Sequence, residues 1–182
     1  MTGECTFSTE EQKTLHDAAR SVIRGKCLGE QTPPVTADSE HLRRPGGAFV
    51  TLRRNGQLRG CIGLVESDIP IIETVQRMAV QAAFSDPRFS PLRADELDGL
   101  ELEISVLGPP KKANDINEIT IGRHGLIIRR GTRSGLLLPQ VPVEQGWDLK
   151  TFLEWTCKKA GLPPTAWKEP DTDIFIFTAE VF

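Results

Sequence analysis

A chain of 182 residues, 38% hydrophobic and 26% charged, has the composition of an ordinary globular protein and is long enough to bury a core without disulfides or structural metal. Its net charge of −3 argues against broad binding to nucleic acid or to anionic membranes. No apolar run approaches the ~20 residues of a membrane helix and no basic-then-apolar leader pattern is seen, so a cytoplasmic protein is expected.

The first predicted element is a helix. Ser8 and Glu11 form a capping-box pattern, and Leu15, Ala18, Ala19, Val22, Ile23 and Cys27 follow on one helical face. Residues 29–47, with Pro33-Pro34 and Pro45-Gly46-Gly47, are expected to be a long irregular connection. A hairpin comes next: Ala48 to Arg54, a turn at Asn55-Gly56, and a return from Leu58 to about Val65. Strict alternation along the return strand points Leu58 and Ile62 one way and Arg59 and Cys61 the other, while Gly60 and Gly63 leave room for a close approach by backbone or ligand.

Ser67 or Asp68 can cap a second helix with Pro70 in its first turn, and Ile71, Ile72, Val75, Met78, Ala79, Ala82 and Ala83 form its apolar stripe. Two prolines then force Ser85-Asp86-Pro87-Arg88-Phe89-Ser90-Pro91-Leu92 off the helical path. Leu100 to Leu107 alternates as a half-buried antiparallel strand. His124 to Arg130 and Ser134 to Leu138 form a second hairpin, which Pro139-Gln140-Val141-Pro142 ends. A third helix starts near Asp148 and stops at Gly161, and Ile174 to Phe182 closes the chain as a central strand. Helices and hairpins interleave without β-α-β units, so the predicted fold class is α+β, in a single domain over 1–182.

The chemistry-bearing residues each have a functional and a plain structural reading. A guanidinium beside a thiol favours the thiolate, so Cys61 next to Arg59 is a candidate nucleophile; a free cysteine is equally a small core hydrophobe. Arg59 can bind a carboxylate or phosphate, or pair across the sheet with Glu101 or Glu103. Asp86 and Arg88 can wall a site, Asp86 as acid, base or anchor, or simply build a post-helix turn. His124 is a candidate general base, or a structural histidine at a strand start. Arg53-Arg54 and Arg129-Arg130 with Arg133, at hairpin ends, can bind phosphate or be solvated. Cys5, Cys27, Cys61 and Cys157 show no C-x-x-C spacing, and His16, His41 and His124 are scattered. No disulfide framework, zinc site or cofactor is predicted from them.

Over residues 8 to 182 the sequence resembles the AMMECR family. The likeness is carried by Leu58-Arg59-Gly60-Cys61-Ile62-Gly63, Asp86-Pro87-Arg88-Phe89 with Pro91-Leu92, Glu103-Ile104-Ser105-Val106-Leu107, and Gly122-Arg123-His124-Gly125-Leu126. Leu137-Leu138-Pro139-Gln140-Val141, Glu144, Trp147 and Lys159-Ala160-Gly161-Leu162 extend it. His124 departs from the pattern, since relatives often carry an acid there. The resemblance implies a two-lobed α+β protein: a larger lobe on an antiparallel sheet, a smaller mostly helical lobe, and a cleft between them near the first hairpin. It also implies a pathway shared with Memo-like proteins and a radical S-adenosylmethionine enzyme. Two functional expectations follow. One is an enzyme or enzyme subunit acting on a small anionic or protein-bound substrate, with Cys61, His124 and Asp86 catalytic and Arg59, Gly60, Gly63, Arg88, Gln140 and Glu144 binding. The other is a non-catalytic binding module in which the Cys61 hairpin is structural.

Overall fold

The computed structural model describes residues 6–32, 35, 37 and 39–182; Cys5 and the Pro33-Pro34 pair lie outside them. Two units divide the chain: Met1–Leu107 together with Glu180–Phe182, and Gly108–Ala179. Both are built from helices and an antiparallel four-stranded sheet, so the α+β class holds.

In the first unit the helices form where the apolar periodicity places them. Helix α1 (Thr9–Leu28) opens at Ser8, whose hydroxyl accepts the Glu11 N–H while the Glu11 carboxylate accepts the Ser8 N–H. It buries Leu15, Ala18, Ala19 and Ile23. Among the described residues, the connection after it contains a short helix, α2 (Glu40–Arg43). Helix α3 (Ile71–Phe84) buries every residue of its predicted stripe. Its start differs from expectation. Pro70 stands at the cap position with no side-chain cap bond, and the Ser67 hydroxyl instead takes a bond from the Thr74 hydroxyl.

Strands β1 (Ala48–Arg54), β2 (Gln57–Leu64), β3 (Leu100–Leu107) and β8 (Ala179–Val181) form the first sheet in the order β2-β1-β3-β8. Asn55 and Gly56 both have positive φ, the turn type that a tight hairpin needs. Alternation puts Ala48, Val50, Leu52, Leu102, Ile104 and Val106 into the core beneath α1 and α3. The chain leaves β3 for the second unit and comes back as β8, where Ile104 and Phe182 exchange two backbone bonds.

The second unit stacks helix α5 (Leu149–Lys159) on strands β4 (Lys111–Lys112), β5 (Gly125–Arg130), β6 (Arg133–Leu137) and β7 (Asp173–Phe177), ordered β4-β7-β5-β6. Its core joins Leu126, Ile128 and Ile176 to Phe152, Leu153 and Cys157. This unit therefore has its own sheet rather than being mostly helical. Two further differences have simple causes. Pro139 to Pro142 ends β6 but continues into a short helix, α4 (Gln140–Glu144), because Pro139 already has helical dihedrals. The final apolar run is two strands: β7 is central in the second sheet, and β8 serves the first.

Candidate functional site

The β1–β2 ladder contains the feature that organises the site. Arg53 pairs with Leu58 and Leu52 with Gly60, so Arg59 is an extra residue, a β-bulge. The bulge resets the alternation. Ile62 packs against the first core as expected, but Leu58 is 38% exposed, on the side opposite to the prediction. Cys61 falls opposite Thr51, whose hydroxyl donates to its Sγ at 3.4 Å. Cys61 is half-buried and opposite Thr51, on the sheet face away from Val50 and Leu52.

Arg59 does not meet Cys61. Its Nε and Nη2 donate to the two carboxylate oxygens of Glu96, at 2.8 and 3.0 Å, with both side chains largely buried. Glu101 and Glu103 are out of reach because β1 lies between β2 and β3; they stand opposite Arg53 and Thr51. The Arg59 bonds, against a smaller opposing effect of burial, bring the Glu96 carboxyl down from 4.5 to about 2. A carboxyl depressed on folding adds stability that is present above its unfolded pKa and is lost as pH falls through the folded value. Glu96→Gln is therefore expected to cost about 2 kcal/mol at neutral pH. It should also flatten the fall in stability between about pH 4.5 and pH 2. Urea midpoints of both proteins across that range test this, and parallel pH profiles would refute it.

The cation that does reach Cys61 is Arg88. Strand β2 is a sheet edge, and at Cys61 its N–H and C=O point away from β1. Asp86 Oδ2 accepts that N–H at 2.9 Å, and Arg88 Nη2 donates to that carbonyl at 3.1 Å. The two side chains also hold each other, Nη2 to Oδ2 at 2.7 Å and Nε to Oδ1 at 2.9 Å. They stand in for the strand that the edge lacks. Asp86 is 3% exposed and accepts the Arg88 backbone N–H as well. Its carboxyl lies far below the ordinary carboxylate range, chiefly through the Arg88 bonds. A carboxylate bonded in this way is held ionised at neutral pH and fixes the Cys61 N–H and Arg88 in place. Arg88 is held further protonated, chiefly by its bonds with Asp86 and against a smaller opposing effect of burial. Its side chain is 53% exposed, and with Arg59 it flanks the ring of Phe89.

The glycines explain themselves through the protein's own atoms. A Cβ on Gly60 would stand 2.1 Å from the Ala82 carbonyl oxygen of α3, and one on Gly63 would stand 2.2 Å from the Phe49 ring. Backbone and ring, not open space, occupy what these glycines vacate.

Cys61, Arg59, Asp86 and Arg88 are thus brought together in the first unit. His124, Gln140 and Glu144 belong to the second. His124 Nδ1 accepts the Thr120 N–H at 3.1 Å and so closes the loop before β5. Gln140 opens α4 with its Oε1 buried and unpartnered among the described residues, and Glu144 is exposed at the end of that helix. Thr51 and Glu96 are neighbours of the candidate site that the sequence did not single out; Phe89 lies in the Asp86-Pro87-Arg88-Phe89 motif. Thr51 had no usable signal, because it faces Cys61 only through the bulge at Arg59. Among the described residues no group of three or more His, Cys, Asp or Glu side chains is placed to hold a metal ion, and no helix is long and apolar enough to cross a membrane.

Residues 16–182 match a family model described as AMMECR1. The Methanopyrus kandleri protein MK0488 is 49% identical over 97% of this chain and 89% of its own, and the Nanoarchaeum equitans protein NEQ441 is 42% identical over 92% and 97%. The crystal structure of an uncharacterised protein, PH0010 of Pyrococcus horikoshii, superposes with a TM-score of 0.85 at 41% identity, covering 93% of this chain and 88% of that one.

Proposed function

This chain belongs to the AMMECR1 family, and from that membership we propose that it is an enzyme, or the thiol-bearing subunit of one, that captures a small anionic or protein-bound substrate at Cys61. The observation that carries this reading is the clamp on Cys61: its main chain is held at both N–H and C=O, the latter by a half-exposed guanidinium, while the residue itself stays half-buried. A reacting atom is best held by groups that fix it without covering it. In this scheme Arg88 binds the substrate's charge, Asp86 positions, and Arg59, already neutralised by Glu96, forms a wall. The simplest chemistry is addition of the thiol to a carbonyl carbon: the S–C bond forms and the thiol proton ends on the carbonyl oxygen. Work alongside a Memo-like protein and a radical S-adenosylmethionine enzyme completes the proposal, and co-purification with either tests that part.

Brief alkylation of the native protein, read by peptide mass spectrometry, tests the thiol. Cys157 is fully buried, and burial pushes the Cys27 thiol up, with Glu96 adding to it. Cys61 is expected to react about tenfold faster than either; reaction slower than Cys27 would overturn the proposal. A second reading, a non-catalytic binding module, is favoured by one feature: the Asp86–Arg88 clamp touches only the main chain of residue 61. Cys61→Ser separates the two, abolishing covalent labelling in the first case and leaving ligand retention intact in the second.

A further inference from the structure

The tip of the β5–β6 hairpin holds a hollow of about 310 Å³ lined by Arg130, Gly131, Thr132, Arg133, Leu162 and Pro163. Arg130 and Arg133 are direct cross-strand partners, the last pair before the turn. Like charges in that position oppose pairing, so the arrangement costs the hairpin stability unless an anion joins them. The protein supplies only part of the compensation. Arg130 Nε is paired with Asp171 at 2.8 Å, but Asp171 is itself 59% exposed. Arg133 Nη1 donates to the Gly161 carbonyl at 3.0 Å, a bond that aims the guanidinium without neutralising it. Thr132, which carries a hydroxyl, lies between the two arginines in sequence and lines the same hollow. Its other wall, Leu162 and Pro163, is apolar, and Leu162 is buried beneath it.

Two fork-shaped donors, a hydroxyl and an adjoining apolar wall together fit a phosphate group carrying a small organic substituent. The volume matches a small metabolite, at the low end of ligand sites. We propose that this hollow is a binding site for a small phosphomonoester, its phosphate between Arg130 and Arg133 and its organic part against Leu162 and Pro163. The site lies within the second unit and uses no residue of the Cys61 site.

Titration of the whole chain with phenyl phosphate and with inorganic phosphate, followed by NMR of backbone amides and arginine Nε–H groups, tests this. Saturable shifts confined to residues 130–133 and 161–163 are expected, with phenyl phosphate binding the tighter. Arg133→Gln should weaken phenyl phosphate by about tenfold. Asp171→Asn, which removes the competing carboxylate, should tighten it, and Arg93→Gln, at an exposed ion pair elsewhere, should change nothing. Equal affinity for the two probes, shifts spread over the surface arginines, no saturation at millimolar probe, or an Arg133→Gln effect below twofold would each overturn the assignment.

Discussion

Replacing Asp86 by Ala is expected to lower the unfolding free energy by about 3 kcal/mol, a large part of a typical domain's stability. The carboxylate is almost fully buried and accepts bonds from the Cys61 N–H, the Arg88 N–H and two atoms of the Arg88 guanidinium. Its loss strands the Cys61 N–H inside the protein and releases Arg88 from the edge of β2. The mechanism has a residue-level signature. Amide exchange at Cys61, expected to be slow in the native protein because Asp86 accepts its N–H, should accelerate in the variant far more than exchange at Val50 or Ile104. The carboxyl is depressed on folding, so its contribution exists above the unfolded Asp pKa, near 3.8, and fades as pH falls below it. The stability gap between native protein and variant should therefore narrow in acid. Urea unfolding that shows a loss under about 1 kcal/mol would sink the account of Asp86 as the edge's substitute partner.

Gly60→Ala is expected to be at least as damaging, at about 3 kcal/mol. The new methyl would enter the space of the Ala82 carbonyl, and no rotamer can relieve it: the methyl is fixed by its own backbone and the group it meets is backbone. Helix α3 must lift from the sheet, opening the layer that holds Val75, Met78, Ala79 and Ala82. Gly56→Ala in the same hairpin is the control. Nothing lies within 4 Å of its Cβ, and only its positive φ of 74° resists, which costs about 1 kcal/mol. Thermal or urea unfolding of the pair should rank them widely apart. Similar losses would mean that the helix can move off Gly60 at little cost.

These two residues show what the sequence made legible and what it did not. The stripes of α1, α3 and α5 and the Asn55-Gly56 turn follow from periodicity and local dihedral preference, and each formed where it was expected. The importance of the Gly60 and Asp86 segments was visible too. Their partners were not, because partners depend on register. Strict pairing outward from Asn55-Gly56 sets Cys61 opposite Val50, on the core side of the sheet. The extra residue at Arg59 moves it opposite Thr51, on the polar side. One inserted position thus decides which face of the sheet the thiol is on, and no local pattern announces it. Arg59 was likewise assigned acids from a strand that is not its neighbour, since strand order is a property of the whole sheet. The last apolar run concealed a similar ambiguity, because a strand apolar on both faces does not say to how many sheets it belongs.

That last run has a consequence for how the protein comes into being. As the ribosome delivers the chain, residues 108–179 are made before the segment that completes the preceding unit, and Gly108 and Thr178 join by a 2.8 Å bond that closes the later-made unit on itself. Until Phe182 arrives, Ile104 has neither of its two outer bonds, and the nascent first sheet offers β3 as a sticky margin to any other emerging chain. Translation thus leaves the earlier half waiting on the later one, and anything that slows synthesis across the 72 intervening residues prolongs that exposure.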